Sequence, residues 1–441
     1  MNSLERKITP GFLIRFTLPT IVMMVFNSFY TMVDGGFVSN FVGTGALSAV
    51  NIVYPLLSLV LAVGIMLATG GCAVVAKQMG EGKALEAKRS FTLITAVGAA
   101  IGAALALIGM LFTRGIVLAL GANEAIYAYC YDYAFYLSLF APFSVLQILF
   151  QYFFVAAGRP HLGLISTLIG GVLNIVLDYV LIVPLNLGIK GAAIATGIGF
   201  LLPAVIGLVY FARNRFGSLC FVRPQMHVRT IVDSCTNGSS EMVSNLAVAV
   251  TTFLFNVLMM RYAGEDGVAA ITIVLYAQFL FTAVFLGYTS GVAPLISYNY
   301  GAGNTKRLQR LFRLSMLFTG ACSAAACLLS IALAGTVVGI FARPQSSVFA
   351  LAIEGMHLFA IGFLFMGFNI FASGLFTALS NGKVSAILSF LRTFVFIIVS
   401  VLTLPALMGM NGVWLSIPAA ELLALIVAVY YMVRLRVRYR Y

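Results

Sequence analysis

A run of 23 residues, Leu162–Pro184, places the strongest constraint on how this chain can fold. The run is almost wholly apolar and is long enough to cross a bilayer as a helix. It nevertheless contains Asn174 and Asp178, which are four residues apart and therefore project from one face of that helix. A carboxylate at membrane depth is costly unless it faces a cavity, a partner or a cation, so Asp178 is a candidate functional residue. The alternative is a structural aspartate that hydrogen-bonds to neighbouring helices.

The composition extends this conclusion to the whole chain. Of the 441 residues, 61% are hydrophobic and 9% are charged, whereas soluble domains carry about 25% charged residues. The long segments are continuous apolar runs and lack the alternating pattern of an outer-membrane barrel. The six cysteines lie mostly within or beside these runs and lack metal-ligand spacing. The sequence therefore predicts an all-α integral membrane protein.

Twelve apolar segments are predicted to span the membrane. The first of them is too long for a signal-peptide core and is expected to remain as a helix. Pro19 lies inside this first segment, where it removes a backbone hydrogen bond and favours a kink. The predicted spans are approximately 12–38, 48–76, 91–112, 125–157, 162–184, 189–212, 232–260, 268–299, 312–334, 350–379, 384–405 and 411–433.

Lysines and arginines are distributed unevenly between the two sides of the predicted membrane. One side receives 22 of the 26, Arg392 among them. The other side receives Arg114, Lys190, Arg261 and Arg343. Because positive charge is retained on the cytoplasmic side of membrane proteins, both termini are predicted to be cytoplasmic. The same topology accounts for the net charge of +13 without a nucleic-acid partner.

The two halves of the chain repeat at a constant offset of 221 residues. Val42–Tyr54 aligns with Ala263–Leu275, and the same offset brings Gly80–Arg89 onto Gly301–Arg310. Each repeat then contains six helices, and an even number of helices makes the two repeats parallel in the membrane. Transporters with parallel repeats hold their substrates between the halves and rock one half against the other.

The repeat predicts the domain organisation. Residues 1–225 are assigned to an N-terminal six-helix lobe with the inter-lobe loop, and residues 226–441 to a C-terminal six-helix lobe. The joining segment from Arg213 to Arg229 is basic. Since the chain has no nucleotide-binding motif, an ion gradient is expected to drive transport.

Several local motifs resemble those of multidrug and toxic compound extrusion (MATE) transporters. TMVDGGFVSNFVGTGALSAVNIVYPL resembles the first and second helices of that family, NIVLDYVLI the fifth and GAAIAT the sixth. The resemblance covers essentially the whole chain and is closest to the DinF-like subgroup, which has paired aspartates in the N-terminal lobe. It implies a V-shaped fold that exports amphipathic, usually cationic, small molecules in exchange for protons or sodium ions.

The resemblance also implies the setting of the protein. We expect no cofactor other than the coupling ion, H⁺ or Na⁺, and no metal site other than one for sodium. We expect the protein to lie in the inner (plasma) membrane of a bacterium, in contact with membrane lipid. We expect a monomer.

Positions along the predicted spans place polar residues of the N-terminal lobe at similar depths. Asp178 lies six residues before the outer end of its span, and Thr196 lies seven residues into the next, so they are about 9 Å and 10 Å deep. Asp34 lies four residues before the outer end of the first span, and Asn174 is one turn deeper than Asp178. Two carboxylates with amide and hydroxyl oxygens suit either a sodium ion or a shared proton.

The family resemblance assigns roles to these residues. It implies that four of them bind the coupling cation: Asp34, Asn174, Asp178 and Thr196. It places Tyr133 and Gln151 in the surrounding hydrogen-bond network. Pro19 is carried over as the kink that lets the first helix bend when the site changes state.

The C-terminal lobe lacks an equivalent acidic pair. The repeat places Phe255, and Ser400 or its neighbour, at the positions of the two aspartates. Glu241 is the main buried acid of this lobe and resembles a glutamate of the sodium-coupled branch, but Met366 stands near the place of that branch's aspartate. A complete second cation site is therefore not expected. Glu241 is predicted to bind substrate or to act in gating, with a structural role as the alternative.

Three other functions compete with ion-coupled export. A lipid-linked saccharide flippase of the same superfamily would carry a cationic cavity and additional helices, and it remains the alternative. A membrane enzyme is disfavoured because the chain lacks HExxH, GxSxG and Walker A motifs. A passive channel is disfavoured because a two-lobed repeat with buried acids suits alternating access.

Overall fold

The computed structural model describes residues 3–214 and 217–441, and the regular structure of these residues is helical. Ten of the described helices are long and apolar enough to cross a membrane. A bent pair, Tyr127–Leu139 with Ala141–Ala156, makes an eleventh span with a bend of 53°. The long helix Val228–Gly301 is broken at Gly264 and therefore makes two spans, which gives twelve. The predicted all-α membrane fold is confirmed.

The spans are referred to below by their order in the chain. They are Pro10–Phe37, Thr44–Gly80, Ala84–Leu111, the bent pair, Pro160–Ile182, Gly188–Arg213, 228–263, 264–301, Thr305–Ala332, Ser347–Ala378, Gly382–Met408 and Met410–Tyr439. Each overlaps the span predicted from the sequence.

The turn between the seventh and eighth spans depends on one glycine. Gly264 has φ 62° and ψ −148°, which are not helical angles, whereas the rest of the long helix keeps helical geometry. A residue with a Cβ rarely adopts such angles, so glycine allows the chain to reverse here without a separate loop. The sequence predicted a loop of several residues at this place.

The repeat extends to elements that were not predicted from the sequence. Ala84–Leu111 and Thr305–Ala332 are related by the offset of 221 at both ends. Short helices, Thr113–Ala119 and Ala334–Phe341, follow them and begin 221 residues apart. Seven or eight residues are too few to cross a membrane, so hydropathy alone did not separate them from their neighbours.

Two π-helical segments lie beside or within the spans. Val38–Val42 follows directly after the first span, and Leu391–Phe396 lies within the eleventh. The second segment contains Arg392, ten residues beyond Gly382 and therefore about 15 Å along the helix. The orientation count placed Arg392 at the cytoplasmic surface, and this placement was wrong because the side chain is held inside the lobe by an ion pair with Glu421.

The first and last described segments of the chain lie at one end of the molecule, which we call the terminal face. Leu4 and Ile8 are buried in the same cluster as Tyr439 and Tyr441. Glu5 accepts a hydrogen bond from the hydroxyl of Tyr298 at 3.1 Å. The segment before the first span thus packs on the C-terminal half of the chain. The opposite end is called the distal face.

Glycines bring the two lobes together in the half nearer the terminal face. A Cβ at Gly70 would overlap the carbonyl oxygen of Ser234, and one at Gly238 would overlap that of Met66. The first and eighth spans meet in the same way at Gly291, beside Thr17 and Thr20. Membrane helices approach this closely where small residues expose the backbone. The lobes are therefore closed against each other on the terminal side.

The segment between the lobes packs on the N-terminal lobe. Phe221 stacks on Phe91 with ring centroids 5.1 Å apart. Arg89 donates a hydrogen bond to Gln225 at 2.7 Å. Arg215, which belongs to the predicted basic loop, lies outside the described residues.

Candidate functional site

Asp34 and Asp178 form the centre of the candidate site. Asp34 lies three residues before the end of the first span, and Asp178 lies four residues before the end of the fifth, so both are near the distal face. Their carboxyl groups are within hydrogen-bonding reach of each other. The side chain of Asp178 is fully buried, and that of Asp34 is partly buried. The structure therefore brings together the two carboxylates that depth alone related in the sequence.

Asn174 and Thr196 lie one to two turns deeper than the acids. Asn174 is eight residues before the end of the fifth span, and Thr196 is eight residues after the start of the sixth, each about 12 Å along its helix. Both are buried. The two helices approach closely here because Gly199 faces Asn174, where an added Cβ would lie 3.1 Å from the asparagine Cβ. The hydroxyl of Thr196 donates to the carbonyl of Ala192 at 3.0 Å, which leaves its lone pairs for another donor or a cation.

Two tyrosines border the acidic pair. Tyr133 is buried in the fourth span and lies near both aspartates. Tyr30 also lies near Asp34 and Asp178, and it is a neighbour of Tyr133. Tyr30 was not predicted from the sequence, although it precedes Asp34 by four residues and therefore projects from the same helix face.

The buried polar atoms of this cluster need a proton or a cation. Oδ1 of Asp34, both carboxylate oxygens of Asp178, and Oδ1 and Nδ2 of Asn174 have no hydrogen-bond partner among the described residues. Ionised carboxylates only accept hydrogen bonds, so two that touch repel each other unless a proton or a positive ion lies between them. Carboxylate, amide and hydroxyl oxygens are also the ligands that hard cations prefer. The residues present thus fit either coupling ion.

Gln151 and Pro19 are placed away from the acidic pair. The amide of Gln151 donates to the hydroxyl of Thr167 at 2.7 Å, and both residues are buried. Thr167 precedes Asp178 by eleven residues on the same helix, a distance of about 16 Å. Gln151 therefore joins the fourth and fifth spans closer to the terminal face. Pro19 is buried within the first span, which continues through it as one helix.

Glu241 lies in the seventh span, apart from the acidic pair. Its side chain is partly buried, and Arg392 is a positively charged neighbour. Tyr152 of the N-terminal lobe is a neighbour of Glu241 and lies 3.4 Å from the hydroxyl of Ser290 in the eighth span. Glu241 thus stands near the boundary between the lobes.

A second charged cluster, which was not predicted from the sequence, lies in the C-terminal lobe. Arg392 pairs with Glu421, with Nη2 and Oε1 2.8 Å apart, and the amide of Asn369 donates to Oε2 of Glu421 at 2.6 Å. The presence of an arginine within one apolar span and a glutamate within the next was the available signal. Charged side chains are rare and costly at membrane depth, so two opposite charges in adjacent spans are expected to pair.

Known proteins resemble this chain along its whole length. Multidrug export protein MepA of Staphylococcus saprophyticus is 23% identical over 430 residues, which cover 97% of this chain and 94% of that protein. A MATE crystal structure in the straight conformation superposes with a TM-score of 0.93 at 20% identity, covering 100% of this chain and 98% of the other. An outward-facing structure of a multidrug resistance MATE transporter gives a TM-score of 0.90 at 21% identity, covering 97% and 96%.

The family model MatE matches residues 19–180 and 242–402. The two matched ranges together cover more than half of the chain and fall in the two repeats. The resemblance predicted from the local motifs is thereby confirmed. The chain belongs to the MatE family.

Proposed function

We propose that this protein exports amphipathic, mainly cationic small molecules in exchange for protons or sodium ions. The observation that carries the proposal is the close approach of Asp34 and Asp178, whose buried oxygens have no donor among the described residues. Such a pair binds one positive charge and releases it when its surroundings change. The relative from Staphylococcus saprophyticus is named as a multidrug export protein, which supports the substrate class.

The arrangement of the lobes supports alternating access. Inter-lobe glycine contacts close the half nearer the terminal face, whereas the acidic pair lies near the distal face. With both termini cytoplasmic in a bacterial inner membrane, the closed half faces the cytoplasm and ions reach the pair from outside. Binding of the ion then favours the opposite state by drawing the first and fifth spans together through their shared charge.

Substrate and ion occupy different lobes in this scheme. Asp34, Asn174, Asp178 and Thr196 bind the ion in the N-terminal lobe, residues 1–225. Glu241, in the C-terminal lobe of residues 226–441, supplies negative charge for a cationic substrate at the lobe boundary. A lipid-linked saccharide flippase is not favoured, because the Staphylococcus saprophyticus relative, which aligns with 97% of this chain, is named as a multidrug export protein.

The test is dye efflux from proteoliposomes with pH and sodium gradients imposed separately. Wild-type protein should move a cationic dye against its gradient under one or both conditions, and Asp178→Asn should abolish this transport. Asp132→Asn is the matched control, because Asp132 is a half-exposed carboxylate of the fourth span that pairs with Lys190 at 3.5 Å. Gradient-independent dye movement, or full activity of Asp178→Asn, would contradict the proposal.

A further inference from the structure

The guanidinium of Arg392 forms a bidentate ion pair with Glu421 inside the C-terminal lobe. Its Nε lies 2.9 Å and 3.0 Å from the two oxygens of Glu421, and its Nη2 lies 2.8 Å from one of them. The two side chains are 16% and 5% exposed. Paired donors that match a carboxylate make a strong and directional contact. A charge retained at this depth is a candidate functional group.

The surroundings of the pair offer the arginine other polar contacts. Asn369 is 3% exposed, and its Oδ1 has no hydrogen-bond partner among the described residues. Asn369 and Arg392 line one small cavity together with Ser373 and Ser389. The arginine also belongs to the π-helical segment Leu391–Phe396, and such segments occur frequently at functional sites.

A continuous series of hydroxyl groups connects this cavity with the seventh span next to Glu241. In order of contact the series is Ser240, Thr377, Ser385, Ser373 and Ser389, with oxygen–oxygen distances of 3.3, 2.8, 3.0 and 2.9 Å. Glu241 directly follows the first member, and Arg392 lines the cavity of the last. The π-helical segment Leu391–Phe396, which carries Arg392, packs on the long helix Val228–Gly301, which carries Glu241. The region thus contains one cation and two carboxylates in polar surroundings.

We propose that Arg392 is an internal counter-cation shared between Glu421 and Glu241, and that it competes with cationic substrates for Glu241. The proposal rests on the proposed function, in which Glu241 faces the substrate. While Arg392 is bound to Glu421, the two carboxylates and one guanidinium leave a single negative charge, which Glu241 offers to a substrate. The region therefore accepts one positive charge at a time, and Arg392 sets this preference.

The charge count predicts opposite effects for two substitutions. Glu421→Gln leaves Arg392 without its partner, so the guanidinium turns to Glu241 and displaces cationic ligands. Arg392→Gln leaves two carboxylates without a counter-cation, so ligands with two positive charges gain relative to ligands with one. The neutral double variant Arg392→Gln, Glu421→Gln retains similar side-chain volumes and keeps Glu241 available.

The experiment measures ligand binding to full-length protein in lipid nanodiscs by fluorescence. Ethidium and propidium share one ring system and carry one and two positive charges, and an uncharged amphipathic dye serves as the control for folding. Glu421→Gln should weaken ethidium binding by about tenfold or more while the neutral dye binds as in wild type. The double variant should restore ethidium binding to near the wild-type level. Arg392→Gln should raise the propidium-to-ethidium affinity ratio, and Arg392→Lys should leave that ratio near wild type.

A double-mutant cycle separates this proposal from the function on which it rests. In a Glu241→Gln background, Glu421→Gln should weaken ethidium binding much less than it does in the wild-type background, because Arg392 no longer has the Glu241 carboxylate to neutralise. Equal loss of neutral and cationic dyes in Glu421→Gln would show a structural pair and overturn the proposal. Should that variant not fold, an unchanged propidium-to-ethidium ratio in Arg392→Gln would overturn it. Unimpaired ethidium binding by Glu241→Gln alone would instead contradict the substrate role of Glu241.

Discussion

Gly80 and Gly301 lie 221 positions apart and each contacts the backbone of the other's helix. A Cβ at Gly80 would overlap the carbonyl oxygen of Tyr298, and one at Gly301 would overlap that of Lys77. Tyr298 and Lys77 are themselves 221 positions apart, so the two contacts are equivalent under the repeat. The second and eighth spans therefore meet at the terminal face around the axis that relates the lobes. Neither contact can persist if the lobes separate there.

Substituting these glycines should weaken closure of the terminal face. Gly80→Ala or Gly301→Ala adds a Cβ that must displace a backbone carbonyl, and overpacking of this kind costs about 1–3 kcal/mol. The closed population should fall by roughly tenfold, with a corresponding fall in export. Spin labels at Lys83 and Lys306, in a background without the six native cysteines, would report a longer inter-lobe distance.

Gly11→Ala provides the control for the glycine substitutions. Gly11 lies in the first turn of the first span near the same face, and a Cβ there meets nothing within 4 Å. The inter-lobe spin-label distance and the export rate of Gly11→Ala should match those of the wild-type protein. If Gly80→Ala and Gly301→Ala behave like this control, the contact is not part of the closure.

The spans and the repeat could be predicted because bilayer thickness sets the length of each apolar run. The depth of Asp34 and Asp178 could also be predicted, since rise per residue fixes position along a helix. Contacts between spans could not, because they depend on how each helix is rotated about its axis. The pairing of Gln151 with Thr167 is a contact of this kind. Tyr30, by contrast, could have been placed beside Asp34, because the two residues are four apart on one helix.

The ion pair of Arg392 and Glu421 was missed for a related reason. Counting lysines and arginines by loop assigns each charge to a membrane surface, and it has no means of placing one inside a lobe. The π-helical segment at Leu391–Phe396 also changes the direction of side chains within the span, so the regular helical period no longer applies. Only the packing of the eleventh and twelfth spans brings these two charges together.

Pro19→Ala should slow export without destabilising the protein. Proline cannot donate a hydrogen bond to the carbonyl four residues earlier, so alanine restores a backbone bond and stiffens the first span. We expect a several-fold lower turnover, since bending steps often limit transport and catalytic cycles, together with an unchanged or higher melting temperature. The measurements are dye efflux from proteoliposomes and thermal unfolding in detergent.

Pro55→Ala is the corresponding control, because Pro55 is an exposed proline inside the second span. Its turnover should stay close to wild type. Normal efflux by Pro19→Ala would show that bending at this residue is not required.

Glu241→Gln should impair transport of cationic substrates more than that of neutral ones. A carboxylate at the lobe boundary attracts positive charge strongly where water is partly excluded. The KM for a cationic dye should rise about tenfold, and that for a neutral dye should change less than about twofold. Glu265→Gln is the control, since Glu265 is exposed near the distal face, directly after the break at Gly264 between the seventh and eighth spans. Equal loss for both dyes would favour a packing role.

The two aspartates should act as one unit. Because their carboxyl groups are within hydrogen-bonding reach of each other, a bound proton or sodium ion belongs to the pair rather than to either residue. Asp34→Asn or Asp178→Asn alone removes the charge repulsion that makes a bound ion necessary, so each should abolish gradient-driven export while the protein still inserts and folds. The double variant should be hardly worse than either single variant, because the first substitution already breaks coupling.

The C-terminal lobe supplies controls for this prediction. Phe255 and Ser400 occupy or adjoin the repeat-related positions and are both buried. Phe255→Leu and Ser400→Ala should leave the dependence of export on pH and on sodium unchanged, since no acidic pair exists at these positions. The measurement is efflux from liposomes over a range of pH values at fixed and varied sodium. Independent losses that multiply in the double aspartate variant would rule out a shared site, as would an ion dependence that changes with Ser400 and not with Asp178.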